Sequence, residues 1–403
     1  MSSSRLLTSS FLFLTLFART ACAQTPQPDQ GSAIAEIVQK TMKTAHLRAV
    51  IVKVMQGDKV ITSQAFGESV TGVPATTAMH FPNGAVAFAY LGTLLMEFVD
   101  EHKVKLDDTI ERWMPTLPEA NKVTLKMLAN QTSGYPDFET DPKWLAAWTA
   151  DPFHIWTFDE RIKYAFACPV QFDPGTNWSY AHTNFMILGE ILAKIGNKPL
   201  DTLLREKVLI PMGLKNTVAS VTSEIPSPVL HGFDSERRTA LKIPANVAFY
   251  EESTFWNAQW GTPMGANQTT TIDDMTTTAV KVGTGALLSK SSHEAMTAPN
   301  LLGFGKKQDN CVPSCFTQIN VYNYGLGIVR SGSWILQNPL VGGYSATEAY
   351  LPSKKIAIAV AVTYAPEAFD SQGNCKNSSD TLFRLIGGYV APDDAPPSVP
   401  TKG

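Results

Sequence analysis

Two pairs of β-branched segments, one near each end of the chain, constrain its fold most strongly. Arg48–Val54 and Lys59–Phe66 are separated by Gln56-Gly57-Asp58, which is typical of a β-hairpin turn. Ser345–Tyr350 and Lys355–Val362 form a second pair around a proline-containing turn. Strands at both ends, with helical sequence between them, predict one antiparallel sheet built from both chain ends. The expected fold class is α/β, with helices flanking the sheet and a mainly helical lobe inserted in the middle.

Apolar residues at helical spacing predict the helices that would flank this sheet and build the lobe. They are Ala33–Thr44, Val86–His102, Thr183–Ile195 and Ser379–Tyr389. Residues 33–390 contain no linker and no internal repeat, so we interpret them as one domain. Residues 24–32 resemble a loose leader, and residues 391–403, with four prolines, resemble a frayed tail.

The charge balance excludes one class of partner. The chain of 403 residues has 36 acidic and 33 basic residues and is 44% hydrophobic. Proteins that bind nucleic acids usually have a basic excess, because neutralisation of phosphates supplies much of their affinity. The sequence therefore predicts a globular protein with no nucleic-acid partner.

The first 23 residues have the pattern of an export signal. Arg5 precedes an apolar stretch over residues 6–17, and Ala21-Cys22-Ala23 offers small residues for cleavage before Gln24. The apolar stretch is short for a bilayer crossing, so we expect no transmembrane segment after cleavage. These features predict a secreted or periplasmic protein, with a lipid anchor on Cys22 as the alternative.

Four cysteines follow the signal: Cys168, Cys311, Cys315 and Cys375. Disulfides are the default in an oxidising compartment, and Cys311 and Cys315 could close a small loop. Three pairings of the four cysteines remain open. No histidine lies at ligand spacing near these thiols, so the sequence predicts no metal site and no cofactor.

Four stretches resemble, in order and spacing, the serine β-lactamase and penicillin-binding family. This family includes class C β-lactamases, D-alanyl-D-alanine peptidases and related esterases. The matching stretches are Lys103–Pro115, Val123–Pro136, Phe172–Leu188 and Val208–Thr217. The resemblance implies a β-lactamase/transpeptidase-like fold, and it implies hydrolysis of amides or esters as the default chemistry.

The residues on which that chemistry depends are missing from the matching segment. The family uses a serine three residues before a lysine, because one helical turn brings the amine close enough to accept the serine proton. Phe81 and Gly84 fit the family pattern, but Ala85 stands at the serine position and Phe88 at the lysine position. No serine in the chain is followed three residues later by lysine. The resemblance therefore implies loss of the nucleophile and of its main base, with Phe88 filling the pocket floor.

The second family motif, Tyr-x-Asn, is retained in part as Tyr180-Ala181-His182. In the family the tyrosine shuttles protons, so Tyr180 and His182 are our candidates for any remaining acid/base chemistry. Side chains two residues apart do not share a helical face, so the pair could cooperate only from a loop or strand. The alternatives are that Tyr180 is a packing residue and that His182 makes a local hydrogen bond.

The third motif, a Lys- or His-Thr/Ser-Gly segment, is also degenerate. Counting back from Gly343-Tyr344 places it at Gln337-Asn338-Pro339, without a cation and with proline in place of glycine. We expect a ligand pocket around Ala85, Phe88, Tyr180 and Gly343.

These features lead to a main functional hypothesis and two alternatives. The first is a non-catalytic relative whose pocket binds a small molecule or a peptide. The second is a hydrolase of esters, amides or β-lactams that uses relocated residues around Tyr180 and His182. The third is an interaction protein that uses the aromatic cluster of residues 144–158 (Trp144, Trp148, Phe153, Trp156 and Phe158). This cluster is either a lid over the pocket or the core of the helical lobe.

Overall fold

The computed structural model of the protein describes residues 29–219, 222–256, 261–311 and 313–399. The predicted export signal lies outside the described residues, as do residues 24–28 of the leader and 400–403 of the tail. The helices are α1 Gln30–Ala45, α2 Val86–Asp100, α3 Leu125–Ala129, α4 Pro142–Ala150, α5 Phe158–Ala165, α6 His182–Gly196, α7 Leu200–Leu204, α8 Ile210–Met212, α9 Ile272–Thr284, α10 Lys290–Thr297 and α11 Ser378–Val390. The strands are β1 Leu47–Gln56, β2 Lys59–Val70, β3 Val73–Pro74, β4 Phe81–Pro82, β5 Val218–Ala219, β6 Phe233–Asp234, β7 Glu251–Glu252, β8 Gln268–Thr270, β9 Asn323–Tyr324, β10 Val329–Ser331, β11 Trp334–Gln337, β12 Leu340–Val341, β13 Tyr344–Leu351 and β14 Ile356–Tyr364.

The main sheet joins the two ends of the chain, as predicted. Its strand order is β3-β2-β1-β14-β13-β11-β10-β9, with β12 paired to β13. The junction is the antiparallel pair of β1 and β14, in which Val52 lies opposite Val360. The α/β fold class and the antiparallel sheet built from both chain ends are therefore confirmed.

Helices cover both faces of this sheet. α1 and α11 pack together and contact its strands, and α9 packs on β1, β13 and β14. Every residue of β13 and β14 is consequently buried. Burial on both faces explains why β14 reads as an almost uninterrupted apolar run rather than as an alternating one.

The segment between the N-terminal and C-terminal strands contains the helices α2 to α8, as predicted for the middle of the chain. α2 is largely apolar, with twelve of its fifteen residues buried, and it packs against α6 and α10, as expected for a core helix whose last turn reaches the surface. α6 packs against α3 and α7. The predicted helix at 86–102 ends slightly early, because Glu101 caps α2 and His102 takes a positive φ of 57°.

The aromatic cluster of residues 144–158 is mainly a core. Trp144, Trp148 and Trp156 are buried in a separate apolar cluster with Phe138, Met186 and Trp256. Phe158 packs against this cluster, whereas Phe153 is 57% exposed. The three tryptophans therefore form the interior of the helical lobe.

Cys311 and Cys315 form a disulfide, whereas Cys168 and Cys375 are free. The disulfide lies beside a bridge between Ser179 and Cys315, which attaches this loop to the segment before α6. None of the described helices combines the length and the apolar character that a membrane crossing needs.

Candidate functional site

Ala85 lies at the start of α2, where the chain leaves a short strand. β4 pairs with β8, and Ala85 then forms the N-cap of α2 without any side-chain hydrogen bond. The preceding Gly84 has a φ of 51°, and a Cβ there would lie 2.8 Å from Cβ of Pro339. Glycine is required at this position by both its conformation and its close neighbour. The same contact brings the start of α2 against the segment that precedes β12.

Phe88 lies one helical turn beyond Ala85 and is fully buried. Its ring stacks on Phe185 of α6, with centroids 4.0 Å apart and an interplanar angle of 7°. The rings of Tyr180 and His182 lie 6.4 and 6.0 Å from that of Phe88. A large apolar ring therefore packs where the family resemblance predicts an amine.

A cavity of about 420 Å³ opens beside these residues. It contains seven of the eight predicted site positions. The lining consists of Gly84, Ala85, Phe88, Trp178, Tyr180, His182, Gly261, Thr262, Phe316, Tyr322, Gln337, Asn338, Pro339, Leu340 and Val341. The walls are thus mostly aromatic and aliphatic, with few polar side chains.

Gly343 is the predicted pocket residue that does not line the cavity. It has a φ of 80°, and a Cβ there would lie 2.4 Å from Oγ of Ser253 and 2.7 Å from the backbone nitrogen of Phe233. Gly343 therefore serves the packing of β6 against the sheet, and our prediction for it is wrong. The wall of the cavity is formed by the preceding segment, residues 337–341.

The amides of the third motif are used in internal hydrogen bonds. Nε2 of Gln337 donates to the carbonyl oxygen of Gly327 at 2.6 Å. Nδ2 of Asn338 donates to Oδ1 of Asp380 at 3.1 Å. The backbone carbonyl oxygen of Asn338 accepts from Nδ2 of Asn377 at 2.7 Å. The two bonds of Asn338 attach the cavity wall to the start of α11.

Tyr180 lies in the loop before α6 and contacts His182 edge to face, with ring centroids 5.0 Å apart. Because Tyr180 lies outside the helix, the two side chains can face each other, which they could not do from positions i and i+2 of one helix. Among the described residues, no group forms a hydrogen bond with the Tyr180 hydroxyl. Burial raises the pKa of this hydroxyl well above its usual value, and Tyr324 and Tyr322 add to the effect. Tyr180 is therefore a neutral phenol at physiological pH.

His182, the first residue of α6, forms ion pairs with two carboxylates that lie more than 40 residues earlier in the sequence. Its Nδ1 lies 3.0 Å from Oδ2 of Asp137 and 3.0 Å from Oε2 of Glu139. Burial alone would lower the pKa of His182, but Glu139 and Asp137 outweigh it and raise the pKa to about 9. The alternative of a purely local hydrogen bond for His182 is thus wrong.

The turn that supplies these carboxylates is attached directly to α6. The backbone nitrogen of Phe138 donates to Oγ1 of Thr183 at 3.2 Å, and that of Glu139 donates to Oδ1 of Asp137 at 3.3 Å. Burial raises the pKa of Glu139 well above its usual value, although His182 opposes this. Asp137 and Glu139 were missed by the sequence analysis. Two acidic residues in a turn are commonplace, and nothing local connects them to a histidine more than 40 positions later.

The fold and the cavity define a protein of the β-lactamase and penicillin-binding architecture. The beta-lactamase family pattern matches residues 34–377, and the chain therefore belongs to the beta-lactamase family.

Solved structures of the same architecture cover nearly the whole chain. D-amino acid amidase from Ochrobactrum anthropi SV3, complexed with L-phenylalanine amide, superposes with a TM-score of 0.72 at 21% identity, covering 91% of this chain and 99% of the amidase. A penicillin-binding protein from Bacillus halodurans gives a TM-score of 0.67 at 14% identity, covering 87% of this chain and 99% of that protein. At these identities the likeness shows the fold alone.

A relative is also detectable by sequence. Penicillin-binding protein 4 of Amycolatopsis lactamdurans is 30% identical over 154 residues, which are 37% of this chain and 38% of that protein. The match therefore spans little more than a third of the relative's length.

Proposed function

We propose that this protein is an exported member of the family that does not acylate and that reversibly binds a small molecule or short peptide in the cavity beside Ala85. The observation that carries this proposal is the pair of side chains at the start of α2. Ala85 presents a methyl group to the cavity, and Phe88 stacks on Phe185 at the position expected for the base. A methyl group cannot attack a carbonyl carbon, and a phenyl ring cannot accept a proton from a nucleophile.

The remaining hydroxyl groups of the cavity offer poor substitutes. The described lining contains the hydroxyls of Tyr180, Thr262 and Tyr322. Burial raises the pKa of both tyrosines well above the usual value, which keeps them protonated. His182 is itself protonated at neutral pH, because its pKa is raised to about 9, and so it cannot serve as a general base for Thr262.

The lining favours a ligand with an aromatic or aliphatic group. The rings of Phe88, Trp178, Phe316 and Tyr322 form much of the wall, and Leu340 and Val341 add aliphatic surface. Mostly apolar cavities with a few polar groups are typical of small-molecule sites. A superposing relative has been crystallised with phenylalanine amide. We therefore propose amino-acid amides and short peptides with an apolar side chain as the first ligands to test.

Covalent labelling tests the absence of acylation. The purified protein is incubated with a fluorescent penicillin and with a fluorophosphonate, its intact mass is measured, and turnover of nitrocefin and p-nitrophenyl esters is followed. We expect neither an adduct nor turnover. The Ala85→Ser/Phe88→Lys variant, which returns both groups, serves as the matched comparison. A stoichiometric adduct on the unmodified protein would refute the proposal.

Calorimetric titration with the D- and L-forms of phenylalanine amide tests binding. The Ala85→Leu variant places a larger side chain in the cavity and should lose affinity at least about tenfold, whereas Phe153→Leu, at an exposed position, should retain it. Equal affinity in all three proteins would place the ligand elsewhere.

A second candidate function is hydrolysis through Tyr180 and His182. The observation in its favour is the edge-to-face contact between the two rings at 5.0 Å. Since both groups hold their protons at neutral pH, the pair could donate a proton but not accept one. Mapping of a label to Tyr180 or Thr262 in the experiment above would establish this function instead.

A further inference from the structure

Asp137, Glu139 and His182 bring three metal-binding donor groups, two carboxylates and one imidazole, together beside the cavity. One oxygen of each carboxylate and one imidazole nitrogen all lie within 4.8 Å of one another. Nδ1 of His182 is 3.0 Å from each of its two carboxylate partners. No other such group of three occurs among the described residues.

The spacing of these atoms matches a shared ion. Oxygen and nitrogen donors lie about 2.1 Å from zinc, which places neighbouring donors about 3.0 Å apart at right angles and about 3.4 Å apart at tetrahedral angles. The two nitrogen–oxygen distances of 3.0 Å therefore require shifts of only a few tenths of an ångström. The carboxylate oxygens lie within 4.8 Å of each other and would have to approach the same range. Imidazole and carboxylate ligands together suit first-row transition metals better than magnesium or calcium, which prefer oxygen alone.

One donor atom of the cluster has no partner. Oε1 of Glu139 is buried and has no hydrogen-bond partner within the described part of the chain. Its neighbour is Gly261, where a Cβ would lie 2.8 Å from Oε1 and 3.3 Å from Cδ2 of His182. Any side chain at position 261 would close this face of the cluster, and glycine leaves it open. A buried carboxylate oxygen without a donor is costly, and a bound cation would satisfy it.

The cluster also has a route to solvent. His182 and Gly261 line the 420 Å³ cavity, and Glu139 lines a second cavity of about 580 Å³ on the side of Trp144 and Trp148. An ion could therefore enter from either side. The hydrogen bond from Phe138 to Thr183 fixes the turn to α6, which holds the ligands in place before an ion arrives.

We propose that His182, through Nδ1, and one carboxylate oxygen each of Asp137 and Glu139 bind one divalent first-row transition-metal ion, with Zn²⁺ the best match. Coordination replaces the proton that Nδ1 shares with the two carboxylates and releases it to solvent. Coordination positions left over by three protein ligands would face the cavity and accept water or a ligand oxygen. The site is independent of the proposed function, because it requires neither Ala85 nor Phe88.

Metal titration of the tag-free protein, stripped with a chelator, tests this site. Zn²⁺ binding is measured by competition with a chromophoric chelator, and Co²⁺ is used as a spectroscopic probe. We expect one equivalent of Zn²⁺, and for Co²⁺ visible absorption bands that Zn²⁺ removes. Glu139→Gln and His182→Asn should each weaken binding at least about tenfold.

His231→Asn is the matched control, since among the described residues His231 pairs with a single carboxylate, that of Glu252. It should bind like the unmodified protein. Near-UV circular dichroism of the metal-free variants separates loss of a ligand from loss of the fold, and the nearly isosteric Glu139→Gln is the decisive variant if His182→Asn does not fold. Failure of the unmodified protein to bind one equivalent, or unchanged affinity in a folded Glu139→Gln protein, would overturn the proposal.

Discussion

The ring of Phe88 both lines the cavity and packs in the hydrophobic core. Phe88 is fully buried, stacks on Phe185 and also approaches Tyr180 and His182. An amine placed there would have to be desolvated, and the two carboxylates that contact the neighbouring His182 are already paired with it. Phe88 therefore stabilises a dry cavity floor, at the position where the family resemblance predicts a charged group.

Truncation of this ring should be costly. Phe88→Ala removes a buried aromatic side chain beside a cavity, and we expect a loss of about 3–5 kcal/mol in the free energy of unfolding. The measurement is urea denaturation followed by circular dichroism. Phe153→Ala, which removes the same ring from an exposed position, should change stability by less than about 0.5 kcal/mol. Similar losses in both variants would contradict the packing role of Phe88.

Glu97 in α2 supplies a prediction about pH. Burial raises its pKa to about 7 against the opposing effect of Lys207, so the folded protein holds this proton more tightly than the unfolded chain, whose value is about 4.5. Stability contributed by the proton is fully present below pH 4.5 and is lost as the pH rises through 7. Glu97→Gln should therefore match the parent protein near pH 4.5 and exceed its stability at pH 8 by about 1–2 kcal/mol, since partial exposure of Glu97 screens part of the effect. Urea denaturation at both pH values measures the difference, and a constant difference would rule out this titration.

Sequence reasoning named most of the positions that line the cavity because the family resemblance supplies their order along the chain; that they bind a ligand stays a prediction. Ala85, Phe88, Tyr180 and residues 337–339 all line the cavity. It failed for Gly343, where a glycine needed for backbone packing was mistaken for one beside a ligand. It could not find Asp137 and Glu139, because their role depends on the tertiary contact of a turn with α6.

Among the elements, long apolar segments were predictable and short ones were not. The bounds of β1, β2, β13 and β14 lie within a few residues of the predicted strands, since a β-branched run carries its own signal. β4 has only two residues, one of them proline, and only its pairing with the distant strand β8 makes it a strand. α4 and α5 were not predicted, because each is only eight or nine residues long, although Trp144 and Trp148 of α4 lie four residues apart, which is helical spacing.

The start of α5 shows how a short helix is specified locally. Thr157 and Glu160 form a reciprocal capping box, in which Oγ1 of Thr157 accepts from the backbone nitrogen of Glu160 at 3.3 Å, and Oε2 of Glu160 accepts from that of Thr157 at 2.8 Å. Such a box satisfies two backbone donors that the helix itself leaves unpaired.

Removal of this cap should be measurable. Thr157→Ala is expected to lower the free energy of unfolding by about 1 kcal/mol. Thr116→Ala, at an exposed position outside the helices, is the control and should be close to neutral. Thermal or urea denaturation of the two variants provides the comparison, and equal stability would show that α5 does not depend on its cap.

At the scale of the whole molecule, the fold depends on contacts between the two chain ends. β1 pairs with β14, and α11 packs against both α1 and the sheet. Leu382, Phe383 and Ile386 of α11 are fully buried, and the ring of Phe383 meets that of Trp334 at 5.3 Å. The last helix is therefore part of the core, although the match to the family pattern ends at residue 377.

A chain that stops at residue 377 should not fold. Its sheet would expose the apolar surface that α11 covers, and loss of several large buried side chains exceeds the stability of a typical domain. We expect the shortened protein to lack near-UV circular dichroism and to bind a hydrophobic dye. A chain that stops at residue 399 should behave like the full-length protein. Native spectra from the shorter chain would mean that α11 is dispensable.

If the protein binds its ligand without acylating it, as proposed, the methyl group of Ala85 also determines how occupancy of the cavity depends on ligand concentration. A nucleophile that forms an acyl bond records every encounter until the bond is hydrolysed, so its state depends on past exposure. Alanine forms no such bond, so under the proposed function a molecule held beside it would leave unchanged. Occupancy of this cavity would then follow the present concentration of its ligand, rising and falling with it, and would keep no memory of earlier doses.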